Sequence, residues 1–234
     1  MNSSLNKSLK KVVVMLILSV GLAACSSSAP SPDWQLQAQS ASERAVKAYL
    51  KGQQGVADVE WHNAFAEVSA TGQPAAMARI ALLQCAAQMA ALEITDCPRY
   101  QRYAPASTPV EQAYARYLSA AHSAADIAWL PQAQQAVAKQ LLATHSALDA
   151  LPQAQPLSQL TAAGVALRSG AISPRAVQQA VQIASEQGWR RSVMAWLLVQ
   201  QRMAQAAGDA ASAQAIELRL RVLQENPLTN KAKK

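Results

Sequence analysis

The sequence predicts an all-α fold, made of helical hairpins stacked in a short repeat-like array. Alanine, glutamine and leucine, which are good helix formers, dominate the chain. The runs of β-branched and aromatic residues that are typical of strands are missing. Apolar residues also recur at helical spacing between glycine and proline breaks. Residues 32–226 are therefore predicted to form one α-helical domain.

Glycines, prolines and capping residues divide this domain into nine predicted helices. Ser31-Pro32 and Ser173-Pro174 each have a serine N-cap followed by proline at the first helical position. Thr108 precedes Glu111 by three residues, which is the spacing of a capping box. The predicted helices cover residues 32–51, 56–68, 74–92, 109–121, 131–148, 157–169, 174–187, 189–207 and 210–225. Residues 97–107 are the longest piece predicted to be irregular.

The first three predicted helices each carry one apolar stripe that should face the core. The stripe of the first helix is the longest and consists mainly of alanine. The stripes contain Trp34, Ala38, Ala41, Ala45 and Ala48 or Tyr49 in the first helix, Trp61, Phe65 and Val68 in the second, and Met77, Ile80, Ala81, Leu83 and Ala87 in the third.

The N-terminal segment has the composition of an export signal. Lys7, Lys10 and Lys11 precede an uncharged run from Val12 to Ala24. This run is shorter than the roughly 20 apolar residues that a membrane-spanning helix needs. A basic head, about 7–15 apolar residues and small residues at a cleavage site are typical of a signal peptide. Residues 1–24 are therefore predicted to be removed.

The end of this signal, Leu22-Ala23-Ala24-Cys25, resembles the lipobox of bacterial lipoprotein precursors. The resemblance implies that the Cys25 thiol receives a diacylglyceryl group and that Cys25 becomes the acylated first residue of the mature protein. Ser26, in place of aspartate, implies sorting to the periplasmic face of the outer membrane. Residues 25–31 would then be the lipidated cysteine and a Ser/Pro linker, and the acyl chains would bind the membrane. The alternative is an ordinary secretory signal with an incidental cysteine.

The formal charge of +7 does not indicate a nucleic-acid partner. Six of the 21 lysines and arginines lie in the signal or in the last four positions, which leaves 15 basic residues against 14 acidic ones in the body. A near-neutral body lacks the electrostatic footprint of nucleic-acid binding. Residues 227–234 are predicted to be a basic, disordered tail, with contact to anionic lipid headgroups as the alternative.

If Cys25 carries lipid, Cys85 and Cys97 remain in an oxidising compartment. The short connection between them is long enough to turn back along the predicted third helix. A disulfide here would contribute ~3 kcal/mol to the free energy of unfolding in the chain-entropy model. Two separately buried thiols are the alternative.

The segment "WLLVQQRMAQAAGDAASAQAIELRLRVLQENP" resembles a degenerate tetratricopeptide repeat. The resemblance implies two helices joined at Gly208-Asp209, with Ala215 and Val222 of the second helix facing inward. Segments such as "DWQLQAQSASERAVKAYLKG" and "QGWRRSVMAWLLVQQ" also resemble the sequences of a group of uncharacterised proteobacterial lipoproteins. That resemblance supports the predicted localisation and implies no activity.

Groups that could carry catalysis are few. His62, His122 and His145 fall in separate predicted helices or helix ends, and none has metal-ligand spacing to a carboxylate or thiol. Glu60 and Glu67 are one isolated pair. The chain contains no metalloprotease, nucleophile-elbow or phosphate-loop motif. The sequence thus predicts no enzyme, no metal and no cofactor.

Two clusters combine aromatic residues with arginines, the residue types enriched at binding hot spots. For the first, the sequence favours core with arginines at its edge over a binding patch, and the second could equally be a solvated connector. The candidates are Trp189, Arg190, Arg191 and Trp196 in the first cluster, and Arg99, Tyr100, Arg102 and Tyr103 in the second.

These observations predict a lipid-anchored periplasmic helical module that binds or helps assemble another envelope protein. A concave pocket for a small ligand or a peptidoglycan fragment is the alternative.

Overall fold

The computed structural model describes residues 31–143 and 147–225. Over these ranges the chain is helical and contains no strand, which confirms the all-α prediction. The predicted signal, Cys25, the linker up to residue 30, His145 and the predicted tail lie outside the described residues, so those predictions stay predictions.

The helices follow one another with short connections. A short α-helix over Pro98–Gln101 and two 3₁₀ turns, η1 (Ala104–Ala106) and η2 (Ala124–Trp129), lie in segments for which the sequence predicted no helix. The helix predicted over 131–148 is described over Gln132–Ala143, and Ala147 and Leu148 at its predicted end are not helical. The α-helices are α1 (Asp33–Lys51), α2 (Gln54–Ser69), α3 (Pro74–Ala90), α4 (Pro98–Gln101), α5 (Pro109–Leu118), α6 (Gln132–Ala143), α7 (Pro156–Arg168), α8 (Pro174–Glu186), α9 (Arg190–Ala206) and α10 (Ala210–Gln224).

Local sequence signals start several of these helices as predicted. The Thr108–Glu111 capping box is present, and the Ser173 hydroxyl accepts a hydrogen bond from the Ala176 amide. A second capping box joins Ser123 to Asp126 at η2. The Arg116 guanidinium donates to the Asp126 carboxylate and holds the pKa of that carboxyl well below its usual range. Side-chain acceptors thus satisfy amides that a helix start leaves without partners.

Helix α3 lies at the centre of the domain. It contacts α1, α2, α4, α5 and α7, and nine of its residues are buried. Small side chains make this close packing possible. A Cβ atom placed on Gly164 of α7 would lie 2.6 Å from the Met89 carbonyl oxygen of α3, so this position requires glycine. The Thr161 hydroxyl also donates to the Ala86 carbonyl at 3.3 Å.

The C-terminal helices pack in sequence order and return to the N-terminal part. Helix α7 contacts α8, α8 contacts α9, and α9 contacts both α10 and α1. The Trp196 side chain on α9 is fully buried, and its indole N–H donates to the Ala90 carbonyl at 3.1 Å. Ala90 is the last residue of α3, where carbonyls have no partner within the helix. Trp196 therefore caps the central helix from the opposite half of the domain.

One prediction from the repeat-like pattern is wrong. Ala215 and Val222 of α10 face solvent, and Val222 is 61% exposed. Ile216, Leu220 and Leu223 pack toward the core instead. Helix α10 has apolar residues on two faces, and the face that contacts α9 is not the one that the repeat resemblance implies.

Candidate functional site

A groove between α1 and α3 has an apolar lining and a volume of about 680 Å³. Val68, from the end of α2, contributes to its lining. The apolar lining comprises Trp34, Ala38, Val68, Ala76, Ile80 and Leu83, and the polar lining comprises Gln35, Gln39, Ser42, Glu43, Gln73 and Arg79.

The groove runs along both helices for the same length. Its lining extends from Trp34 to Glu43 on the α1 side and from Gln73 to Leu83 on the α3 side. At 1.5 Å per residue, each wall is about 14 Å long, or between two and three helical turns. The groove therefore matches the length of a short helix lying alongside α1 and α3.

Most polar groups at the groove have partners within the domain. The Ser42 hydroxyl donates to the Ala38 carbonyl at 2.7 Å, and Arg79 pairs with Glu111 at 2.7 Å. Burial acts to raise the pKa of Glu111, but hydrogen bonds from Arg79 and Thr108 lower it overall. Gln39 donates to Glu43 at 2.9 Å. The groove thus has an apolar floor and a mostly neutral, amide-rich rim.

The predicted Trp189–Trp196 cluster is part of the interior. Trp189 is 9% exposed and Trp196 is fully buried. We therefore withdraw both tryptophans as interaction candidates, because neither can reach a partner without unfolding of α9. The sequence leaves open whether the tryptophans form a binding patch or part of the core, and their burial matches the core.

Both arginines of this cluster make contacts within the domain. The Arg190 guanidinium donates to the Leu223 carbonyl of α10 at 2.9 Å. The Arg191 guanidinium lies 4.1 Å from the centre of the Tyr49 ring and donates to Gln54 at 2.6 Å. The Arg190 and Arg191 side chains thus help to hold α1, α2 and α10 against α9.

A carboxylate completes the contacts of Arg191. Glu93, in the loop after α3, lies 3.7 Å from the Arg191 guanidinium and accepts a hydrogen bond from the Tyr49 hydroxyl. Burial and the hydrogen bond to Glu93 raise the pKa of Tyr49 above its ordinary value. Substitution of either arginine would weaken helix packing, so a loss of partner binding in such a variant would not identify a binding site.

The second predicted cluster divides between core and surface. Tyr100 is 4% exposed and is withdrawn as an interaction candidate, whereas Tyr103 is half-buried. The Arg99 guanidinium lies 4.2 Å from the centre of the Phe65 ring and joins α4 to α2. Arg102 is exposed. Arg99 is itself exposed, so Arg99, Arg102 and Tyr103 of the second cluster remain surface candidates.

The structure contains the predicted disulfide between Cys85 of α3 and Cys97, with their Cα atoms 5.6 Å apart. Cys97 immediately precedes α4 and has a left-handed backbone conformation with φ of 51°. L-residues other than glycine adopt this conformation at a cost, and the surrounding structure must hold it. The disulfide fixes the loop after α3 against the helix from which it departs.

Removing this disulfide is expected to destabilise the domain. The double substitution Cys85→Ser and Cys97→Ser should lower the free energy of unfolding by about 2–4 kcal/mol, because the unfolded chain gains conformational freedom. Urea denaturation of the oxidised protein and the variant measures the difference. Treating the unsubstituted protein with dithiothreitol should lower the free energy of unfolding by a similar amount. A urea midpoint that does not change on reduction would contradict a stabilising role of the disulfide.

A second pocket of about 460 Å³ lies beside the disulfide, between α4 and α5. Its charged lining residues are Arg116 and Asp96. Arg116 is bound to Asp126, and Asp96 accepts a hydrogen bond from Arg168 at 2.9 Å. The polar groups of this pocket thus serve mainly to join elements of the domain.

Of the candidate groups that the structure describes, His62, His122 and Glu60 lie in separate surroundings. His62 is exposed, whereas His122 is 8% exposed, with its Nε2 atom 3.0 Å from the Ala138 carbonyl oxygen. Glu60 pairs with Arg44 at 2.9 Å. Within residues 31–143 and 147–225, no group of three or more histidine, cysteine or acidic side chains could hold a metal ion.

No protein-family model matches the chain, and no curated protein or solved structure is significantly similar to it. Among the helices that the structure describes, none is both long and apolar enough to cross a membrane.

Sequence reasoning did not identify the α1–α3 groove. The signal was present, since Trp34, Ile80 and Leu83 belong to the predicted apolar stripes. The sequence pattern predicts only that these stripes face the core. Ala38 and Ile80 are both buried in the core and part of the groove lining, so one stripe serves both surfaces.

Proposed function

We propose that this protein is a lipid-anchored envelope protein that binds a short amphipathic helix of another envelope protein in the α1–α3 groove. The dimensions and lining of the groove carry this proposal. Recognition of an amphipathic helix in a groove uses apolar anchors on successive turns and a polar rim, and both are present here.

The chemistry of the groove favours a helical peptide over a small polar ligand. Small-ligand sites need a few polar groups that converge on the ligand and fix its orientation. Here Ser42 and Arg79 are already bonded within the domain, and the glutamines lie along the rim. The apolar floor follows two helices for about 14 Å, which suits two turns or more of an apolar helix face.

The position of the groove suits a partner at the membrane surface. Trp34, at one end of the groove, follows Cys25 by nine residues. A fully extended chain of that length spans about 30 Å. If Cys25 is acylated, the groove is held close to the lipid headgroups, where the domains of other envelope proteins are also found.

Acylation of Cys25 predicts metabolic labelling with an alkyne fatty acid in the native host. Labelling should be lost in a Cys25→Ala variant, because Cys85 and Cys97 are joined to each other and offer no free thiol. A blot with the coupled reporter measures the label. Equal labelling of the variant and the unsubstituted protein would place the lipid elsewhere.

The partner can be captured by a photo-crosslinking amino acid placed at the groove. Gln35 is an exposed rim residue, and Gln178 on α8 is an exposed glutamine remote from the groove lining. Irradiation of cells should give one discrete adduct from position 35 and none from position 178. Mass spectrometry of the adduct should locate the crosslink in an amphipathic helix of an envelope protein. The same adducts from both positions would contradict the proposal.

A further inference from the structure

The outward face of α10 carries a continuous apolar stripe. Ala211, Ala215, Leu218 and Val222 are all exposed, with Leu218 at 56% and Val222 at 61%. Their spacing of four, three and four residues places them within about 60° of one another around the helix. The opposite face of α10 packs on α9 through Ile216, Leu220 and Leu223. The exposed stripe is therefore not required for the packing of the domain.

Two arginines border this stripe, one on each side. At 100° per residue, Arg219 lies about 70° from the centre of the stripe in one direction and Arg221 about 90° in the other. Both are exposed. Glu217 lies farther away, about 130° from the stripe centre, toward the buried face. Long basic side chains at these angles can extend past an apolar stripe toward headgroups on either side.

The chain that follows α10 adds positive charge. Lys231, Lys233 and Lys234 lie among the last four residues, only a few positions beyond the helix end. Together with Arg219 and Arg221 they make five basic groups within sixteen residues. Glu225 is the one acidic residue after Glu217 in this part of the sequence. An apolar stripe with basic groups beside it is typical of helices that lie in the plane of a membrane interface.

We infer that α10 docks on an anionic lipid surface, with its apolar stripe in the interface and its arginines at the headgroups. The charge distribution favours lipid over a second copy of the chain. Two copies meeting at this stripe would bring Arg219 and Arg221 of each together, with only one carboxylate, Glu225, on that face; it lies about 50° from the stripe centre on the Arg221 side. An anionic lipid surface complements both arginines at once. The inference concerns a different surface from the α1–α3 groove and does not depend on acylation.

Vesicle flotation tests this inference. The protein used is the chain from residue 25 onward with Cys25→Ala, so that no acyl group contributes to binding. It should float with vesicles of phosphatidylethanolamine and phosphatidylglycerol at a ratio of seven to three. It should not float with phosphatidylcholine vesicles, and its binding should weaken as salt is raised.

Two double variants separate the apolar contribution from the charge contribution. Leu218→Gln with Val222→Gln should weaken binding on the order of tenfold, because it removes the large apolar side chains of the stripe. Arg219→Gln with Arg221→Gln should weaken it by about 5-fold for each arginine. Matched controls are Val56→Gln with Val59→Gln on α2, which are 53% and 59% exposed, and Arg44→Gln with Arg175→Gln, two exposed arginines on other helices. The controls should bind like the parent chain.

Several results would overturn the inference. The first is absence of flotation with the anionic vesicles. The second is equal binding by the Leu218/Val222 double variant and its control on α2. The third is equal binding by the Arg219/Arg221 double variant and its arginine control. A dimer in light scattering that the Leu218 and Val222 substitutions dissociate would assign the stripe to a second copy and would also overturn it. Circular dichroism melting of each variant shows whether the fold is retained, which is expected because all the substituted residues are exposed.

Discussion

Replacing Gly164 with alanine is expected to destabilise the domain by about 1–3 kcal/mol, the range typical of overpacked cores. Alanine normally stabilises a helix interior by up to ~1 kcal/mol relative to glycine, so the expected sign is the reverse of the intrinsic preference. The reason is steric. The new Cβ would lie 2.6 Å from the Met89 carbonyl oxygen, and a backbone atom can move only if α3 or α7 moves.

Gly55 on α2 is the matched control. It is also helical, and a Cβ added there meets no atom within 4 Å. Gly55→Ala should therefore leave the free energy of unfolding unchanged or raise it slightly. Urea denaturation of both variants measures the change in the free energy of unfolding and its sign. Stabilisation by both substitutions would contradict the close approach of Gly164 on α7 to the Met89 carbonyl of α3.

Replacing Trp196 with alanine is expected to lower the free energy of unfolding by about 3–5 kcal/mol, as for other large buried aromatic side chains. Two losses combine in this variant. The side chain is fully buried, so a cavity remains, and the Ala90 carbonyl at the end of α3 loses the indole N–H. Because Trp196 joins α9 to α3, unfolding should remain one cooperative transition at a lower urea concentration.

Trp129 on η2 is the matched control, since it is 50% exposed. Trp129→Ala should change the free energy of unfolding by less than ~1 kcal/mol, as is usual for surface substitutions. Equal losses for the two tryptophans would contradict the assignment of Trp196 to the core.

The local features of this fold follow directly from the sequence. Helix positions depend on short-range signals, such as proline at the first helical position, the Thr108–Glu111 capping box and the glycine after α1. The Cys85–Cys97 disulfide could be predicted because the connection between the two residues is short. These features depend on residues close together in the chain, so periodicity and capping chemistry are sufficient to predict them.

The partners of each apolar face could not be predicted in the same way. The sequence shows that α10 is amphipathic, but Ala215 and Ile216 are adjacent and either could face α9. Only the packed structure shows that Ile216 is inside. Likewise, the Arg191 side chain meets Tyr49 and Gln54 from across the domain, more than 130 positions away in the case of Gln54. Residue type alone predicts that Arg191 contacts a partner, because arginine is enriched at binding hot spots.

Two adjacent substitutions test whether a partner helix binds in the α1–α3 groove. Ala76 lines the groove, whereas its neighbour Ala75 does not. Both lie in the first turn of α3, where a new carboxylate is compatible with the helix dipole. Ala76→Glu and Ala75→Glu should therefore differ little in stability but should differ in their effect on a helix bound in the groove.

The decisive measurement is the yield of the adduct crosslinked from position 35 in cells that carry each of these substitutions. Ala76→Glu should reduce the yield at least tenfold, because it places a charge on the apolar floor. Ala75→Glu should leave the yield unchanged. Equal yields in the two variants would contradict binding in the groove.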